Sequence, residues 1–345
     1  MDRFRSSIAT VLLFHFLVLY ARGQQAETAP LFQDEQPLSA EIDISLSEIK
    51  KSKSDSIYFS TILRYKDVQG IWDSIPITVR ARGNFRRKHC FFPPMRIKID
   101  KGNAKGTLFA GTKSLKLVLP CQVGKNANDL ILKEYVCYQL YKPITSYVFN
   151  TRLVYITLYD QSGKQPKVHK LTAFFIEDDD AAARRLLATV VDEPKFNPMH
   201  LEDTSSLRLD LFQYMIANTD FSTTFTHNLK VVRTKTGKLV PIAYDFDMAG
   251  FVNAPYATFD ETLGIKGVHE RVYKGYRRKE GIMEFVRQEF IQHEDEISGV
   301  MDRNRNYFEP KEFGTMKKYL TEFFKTIKND AFYREQIVRK CRTPK

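Results

Sequence analysis

The chain has 345 residues, 43% hydrophobic and 27% charged, which argues against a disordered chain and suits one large or two moderate globular domains. Its formal net charge of +12 favours encounters with anions: nucleotides, phosphorylated glycans, anionic membrane surfaces or acidic proteins. The basic residues carry no nucleic-acid recognition motif, so no specific nucleic-acid partner is expected.

The first 23 residues read as a secretory signal peptide: Arg3 and Arg5, an apolar run from Ile8 to Tyr20, then Ala21-Arg22-Gly23 where a signal peptidase cuts. Cleavage after Gly23 removes three arginines and Asp2, taking the charge from +12 to +10. An apolar run of about 13 residues falls short of the roughly 20 that span a bilayer, and no later segment is long enough. The mature chain is therefore expected to be secreted or periplasmic, without a membrane span. Cys90, Cys121, Cys137 and Cys341 lack CxxC spacing, which argues against a zinc cage. They suit disulfides after export, with Cys90 to Cys121 as a candidate bridge and Cys137 as a buried thiol.

A polar linker, residues 24–40, precedes a strand-rich stretch. Ile57 to Tyr65, Ile75 to Ala81, Met95 to Asp100 and Ser114 to Pro120 are short, rich in β-branched and aromatic residues, and bounded by Gly, Pro or Asp turns. One helix follows at Asn128 to Tyr141, stopped by Pro143, and then strands at Arg152 to Asp160 and His169 to Glu177. The composition changes at Glu177 to Asp180. Beyond it, Ala181 to Val191, Ser206 to Asn218, Ile282 to Ile297 and much of the segment from Glu312 to Lys340 show helical periodicity. A hairpin from Leu229 to Asp245 turns at Thr236-Gly237. The expected organisation is a lobe at 41–177, a sheet with one helix, and a mainly helical lobe at 178–345 carrying that hairpin.

Motifs for several chemistries are missing. GTLFAGTKS, Gly106 to Ser114, approaches a P-loop, but Thr112 separates Gly111 from Lys113 and a strand follows where phosphate binding needs a helix. No GxSxG or HExxH occurs. What stands out is a set of oxygen-bearing side chains at segment ends. Asp220 follows a helix, Asn228 opens the hairpin, and Asp245 and Asp247 close it, so the hairpin's outer ends bring all four toward one place. Magnesium takes one or two carboxylates, an amide oxygen and substrate phosphates, and an aspartate outside that shell can accept a proton from an attacking hydroxyl.

At these residues the chain resembles the spore-coat protein H (CotH) kinase family of secreted atypical kinases. The matching segments are RGN (Arg82 to Asn84), PMRIKID (Pro94 to Asp100), KSLKLVL (Lys113 to Leu119), LKEYVCYQL, FQYMIANTD and the DFD turn, Asp245 to Asp247. The resemblance implies a two-lobed, protein-kinase-like α+β fold that binds ATP with magnesium, or manganese in its place. It implies Asp220 as catalytic base and Asn228, Asp245 and Asp247 as metal-binding residues. It further implies that Glu134 pairs with a lysine orienting the nucleotide, Lys116 in preference to Lys98, and that Arg82 contacts phosphate. FFIED, Phe174 to Asp178 and so including Glu177, lies where a kinase chain crosses between lobes and its backbone meets adenine. The sequence departs from kinases in having no glycine-rich GxGxxG, no HRD triplet, and DFD in place of DFG. The implied activity is phosphoryl transfer to a hydroxyl acceptor, a Ser or Thr of an exported protein or another alcohol. The rival readings are a catalytically inactive binding or scaffold protein, and a glycosyltransferase using DFD as a DxD metal site.

Overall fold

The computed structural model describes residues 28–52, 54, 56–83, 85–124 and 126–343. The expected signal peptide, the start of the linker and Asn84 of the RGN segment lie outside the described residues. The chain runs through β1 (Leu38–Ile44), α1 (Leu46–Lys51), β2 (Phe59–Lys66), β3 (Trp72–Ala81), α2 (Phe85–His89), β4 (Met95–Ile99), α3 (Lys101–Ala104), β5 (Ser114–Val118), α4 (Ala127–Tyr141), β6 (Thr151–Asp160) and β7 (Lys167–Glu177). The seven strands close into a barrel in the order β1-β2-β3-β4-β5-β7-β6. Every neighbouring pair is antiparallel except β1 with β6, which is parallel.

Period-two alternation builds the barrel. In β1 the side chains of Leu38, Ala40, Ile42 and Ile44 are buried, and the residues between them face outward. Ala40 lies opposite Tyr65 on one side and Ile156 on the other, so this one strand joins both ends of the sheet. Ile42, Leu63, Tyr65, Val79, Ile97, Leu117, Ile156 and Phe175 belong to the apolar filling of the interior. β7 is apolar on both faces: Ala173 and Phe175 join that filling, while Phe174 and Ile176 enter a second core.

That second core reaches across the rest of the chain: α5 (Asp179–Arg185), β8 (Ala188–Val191), α6 (Asp203–Met215), β9 (Leu229–Thr234), β10 (Leu239–Ala243), α7 (Glu280–Gln292), α8 (Glu294–Arg303), α9 (Pro310–Lys328) and α10 (Asp330–Gln336). The strands β10, β9 and β8 form a small antiparallel sheet. α4 is buried from Ile131 to Tyr141, and its apolar side chains pack in the same core as α6 and α9.

This architecture overturns the expected two-lobed, protein-kinase-like fold. The strand-rich part is a closed barrel, and it carries α1 to α4 where one helix was expected. The hairpin β9–β10 belongs to a three-stranded sheet, because Ala188–Val191, expected as the end of a helix, is the strand β8. β1 begins inside the stretch expected as linker, and its pairing with β6 removes the free edges an open sheet would have. β7 is paired to β5 on one side and to β6 on the other through Phe174 to Ile176. The Glu177 N–H donates to Asn150 O at 2.9 Å, so its amide is committed within the fold.

A disulfide joins Cys90 to Cys121, and Cys137 is a buried free thiol. Among the described residues no helix is long and apolar enough to cross a membrane. If β1 closes the barrel, Ile42→Ala should cost about 2–5 kcal/mol in denaturant unfolding. Glu41→Ala, on the outward face beside Arg64, should cost under about 1 kcal/mol.

Candidate active site

A cleft of about 280 Å³ lies where the barrel meets the second core. Its walls come from distant parts of the chain. Arg82 and Gly83 follow β3, Arg86 is on α2, Glu134 and Tyr138 are on α4, and Asp220 and Asn228 flank the loop after α6. Asp245 and Asp247 follow β10.

Backbone contacts hold the two acidic loops together. The Gly250 N–H donates to Ala217 O and the Phe251 N–H to Ile216 O, both at 3.0 Å, which ties the segment after DFD to the end of α6. A side chain at Gly250 would stand 2.2 Å from Val268 O and 2.9 Å from Ala217 Cβ, so this approach requires glycine. Ser222 and His227 exchange two backbone hydrogen bonds, 3.1 and 3.0 Å, folding the intervening loop back on itself. Ala217, Thr226, Asn228 and Asp245 all take left-handed φ values, between 48° and 65°. Such conformations cost about 1–3 kcal/mol each outside glycine, less for Asn and Asp, and persist where the surroundings fix them.

The Asp220 carboxylate is fixed at both oxygens. The Asn228 Nδ2 donates to Oδ2 at 2.9 Å and also to the Asp220 carbonyl at 2.7 Å, and His227 Nε2 lies 3.0 Å from Oδ1. Asn218 accepts the Asp220 N–H at 3.0 Å, setting the turn. The Asp220 side chain remains 39% exposed, open to a reactant. With its amide nitrogen committed to Asp220, Asn228 keeps its Oδ1 for another partner.

Deeper in the cleft, one guanidinium serves two carboxylates. Arg86 Nη1 lies 3.4 Å from Glu134 Oε2, and its Nε lies 3.8 Å from Asp247 Oδ2. The second contact is too long for a hydrogen bond, and both atoms are buried without a hydrogen-bond partner among the described residues. Burial, and then the charge of Asp245, push the Asp247 carboxyl up to about 7 despite Arg86. Burial likewise raises Glu134 well above the usual carboxyl range, opposed by Arg86. Burial opposes charge on Arg86 as well, but Glu134 and Asp247 outweigh it and keep the guanidinium protonated.

The chain matches no family model and no curated protein.

The site is therefore read from its own residues. Arg82, Glu134, Asp220, Asn228, Asp245 and Asp247 all line the one cleft. Glu134 pairs with Arg86 and not with a lysine. Lys116 is buried against Asp179, with its ammonium 4.9 Å from the Tyr244 ring centre. Burial pushes it down to about 8 against the pull of Asp179. Lys98 faces outward on β4, 4.2 Å from the Tyr58 ring centre. Glu177 binds Arg185 at 2.8 Å. Arg86 was hidden in the basic run Arg80 to His89, which reads as a solvated face because nothing in the sequence tells which of its cations is buried.

Among the described residues no three His, Cys, Asp or Glu side chains form a ready-made metal cage. The cleft nonetheless suits a divalent cation that keeps water or phosphate ligands. Four carboxylates, Glu134, Asp220, Asp245 and Asp247, face two guanidinium groups, Arg82 and Arg86, leaving two negative charges when all are ionised. The unpartnered Asp247 Oδ2 and the uncommitted Asn228 oxygen supply donors of the hard type magnesium takes.

Gly250→Ala should destabilise the chain by about 1–3 kcal/mol or more in denaturant unfolding, through the backbone clash. Because Asp247 holds its proton in the native state up to about pH 7 and releases it near 3.8 when unfolded, native stability falls as pH rises between those values. In a chelator, Tm should drop between about pH 5 and pH 8 more steeply for wild type than for Asp247→Asn. Magnesium should restore the loss above pH 7 in wild type alone.

Proposed function

We propose that this chain is a divalent-metal-dependent phosphotransferase that moves the γ-phosphoryl group of ATP to a hydroxyl, with a Ser or Thr of an exported protein as the acceptor class. The observation that carries this reading is the gathering of Asp220, Asn228, Asp245 and Asp247, from two loops, on one cleft. The chemistry is the one implied by the resemblance to CotH kinases, set on a closed barrel.

Asp245, Asp247 and the Asn228 oxygen would hold magnesium, or manganese in its place. Bound there, the cation neutralises phosphate charge as a Lewis acid. Arg82 is held through its backbone N–H, which donates to Pro94 O at 2.8 Å, and its side chain lines the same cleft and offers a fork of donors to phosphate oxygens. Arg86 holds the depths of the site by binding Glu134 and donating to Leu119 O at 2.7 Å. Asp220 is oriented by Asn228 and His227 with its side chain partly exposed, as a general base needs. In the transfer the acceptor oxygen bonds to the γ-phosphorus, the bond from that phosphorus to the bridging oxygen breaks, and ADP leaves with the electron pair. The acceptor proton passes to Asp220. Export to an oxidising compartment is supported by the Cys90 to Cys121 disulfide and the leader pattern in the sequence.

The test pairs binding with turnover. Magnesium plus ATP should raise Tm, by about 2.7 kcal/mol of stabilisation at a hundredfold excess over Kd, and manganese plus a UDP-sugar should not. Label from γ-labelled ATP should reach exported proteins. Asp220→Ala should keep the thermal shift and lose transfer by a factor of about a hundred or more, while Asp245→Ala should lose both. A thermal shift with UDP-sugar alone, or equal transfer by Asp220→Ala and wild type, would contradict the reading.

A further inference from the structure

Lys274 lies far along the chain from the acidic loops, yet its ammonium donates to the carbonyl oxygens of Thr219 and Phe221, the residues on either side of Asp220. The Phe221 contact is 2.9 Å long, and the same ammonium sits 5.0 Å from the Phe221 ring centre. A lysine that grips these two alternate carbonyls fixes the peptide before Asp220 and the peptide after Phe221, and so brackets the aspartate.

The segment carrying Lys274 is itself pinned on three sides. The C-terminal tail pairs with it: the Arg342 N–H donates to Gly275 O, and the Arg277 N–H donates to Arg342 O, both at 2.9 Å. The Tyr276 hydroxyl lies 3.1 Å from Thr224 Oγ1, inside the loop between Asp220 and Asn228. On the side of α6, a side chain at Gly275 would stand 2.6 Å from Asp210 Oδ2, so the backbone passes against that buried carboxylate with no room for a Cβ. Arg278 continues the attachment with a 2.6 Å bond to Asp203 at the start of α6.

We propose that residues 273–278 form a strap, held by the C-terminal tail and by α6, in which Lys274 positions the Asp220 loop. Lys274 is a positioning residue, since its contacts are to backbone oxygens and not to a reactant. The inference rests on the proposed function only for its effect on rate, and its structural content stands without it. Four charged groups act on the ammonium: Arg342 from the tail, Asp220 from the loop, Asp260 from the segment before the strap, and Asp210 from α6. Burial and then Arg342 lower its pKa to about 8, while the three carboxylates oppose them. Because the folded chain holds this ammonium below its ordinary value of 10.5, the closed strap gains stability as pH rises from about 8 toward 10.5, where only the opened segment still binds the proton.

The test is amide hydrogen exchange on the full chain, comparing wild type with Lys274→Met and Lys274→Arg. In Lys274→Met, exchange across residues 219–228 should rise at least about tenfold relative to the barrel strands, as expected when two charge-assisted hydrogen bonds are lost. The Tm gain from magnesium plus ATP should persist, because Asp245 and Asp247 are untouched. Unchanged exchange at 219–228 would overturn the proposal. Should Lys274→Met not fold, wild type and Lys274→Arg decide it. After correction for intrinsic rates, protection of the loop in wild type should rise between about pH 8 and pH 10 and stay level in Lys274→Arg, and identical profiles would overturn it. In a transfer assay kcat should fall by about a hundredfold in Lys274→Met with KM for ATP unchanged. Absence of any transfer in wild type would count against the proposed function, whereas the exchange data judge the strap separately.

Discussion

Arg86 stands between Glu134 and Asp247, and one guanidinium cannot neutralise two buried carboxylates. Desolvating an ionised carboxylate costs several kcal/mol unless it is paired and hydrogen-bonded. The protein leaves that cost in place by holding Arg86 Nε and Asp247 Oδ2 3.8 Å apart, with neither atom satisfied. Asp245 and Asp220 then add further negative charge to the same cleft. A group of charges this frustrated is stable only if protons or a cation balance it. Proton uptake by Asp247 near neutrality is the first solution, and a divalent cation is the second. Binding of the proposed cation would displace that proton, so the site proposed here would be sensitive to pH near neutrality.

The fold makes this arrangement possible by rigid attachment. The barrel presents Arg82 and Arg86 from the end of β3 and the short helix after it, while α4, buried on all sides, presents Glu134. The second core supplies the remaining carboxylates on two loops that are stapled by backbone hydrogen bonds at Gly250 and Phe251. Left-handed residues at Ala217, Thr226, Asn228 and Asp245 mark where the chain departs from its relaxed conformations to aim those side chains. The strain is local, and the cores on either side are large enough to hold it.

Much of this was legible in the sequence, and the failures have physical causes. The strands after Phe59 and the helix at Ala127–Tyr141 were visible because β-branched alternation and helical periodicity are local signals. The four oxygen-bearing side chains were legible because they stand at segment ends, where an unpaired polar group needs a purpose. β1 was not recognised as a strand, and its first three residues were read as linker: seven residues alternating Leu, Ala and Ile with Ser, Glu and Asp carry a weak pattern, and Ile156, opposite Ala40, is more than a hundred residues away. Closure of the barrel depends on that one non-local pairing, so the two-lobed reading failed with it. β8 was merged with a helix because α5 ends only two residues before it, although Thr189, Val190 and Val191 are strand formers. The partner of Glu134 was misassigned because charge type along a sequence does not tell which cation is buried. Lys116 faces Asp179, and Arg86, one of five basic residues between Arg80 and Lys88, is the one turned inward.

The central claim is that this frustrated cleft holds one hard divalent cation. It is tested most directly by an anomalous difference map from crystals of the full chain grown with manganese. The account predicts one strong peak within coordination distance of Asp245 and Asp247, with Asn228 Oδ1 directed toward it. Crystals containing manganese at well above millimolar concentration with no peak in the cleft, or with Asp247 drawn instead into a hydrogen-bonded pair with Arg86, would contradict it.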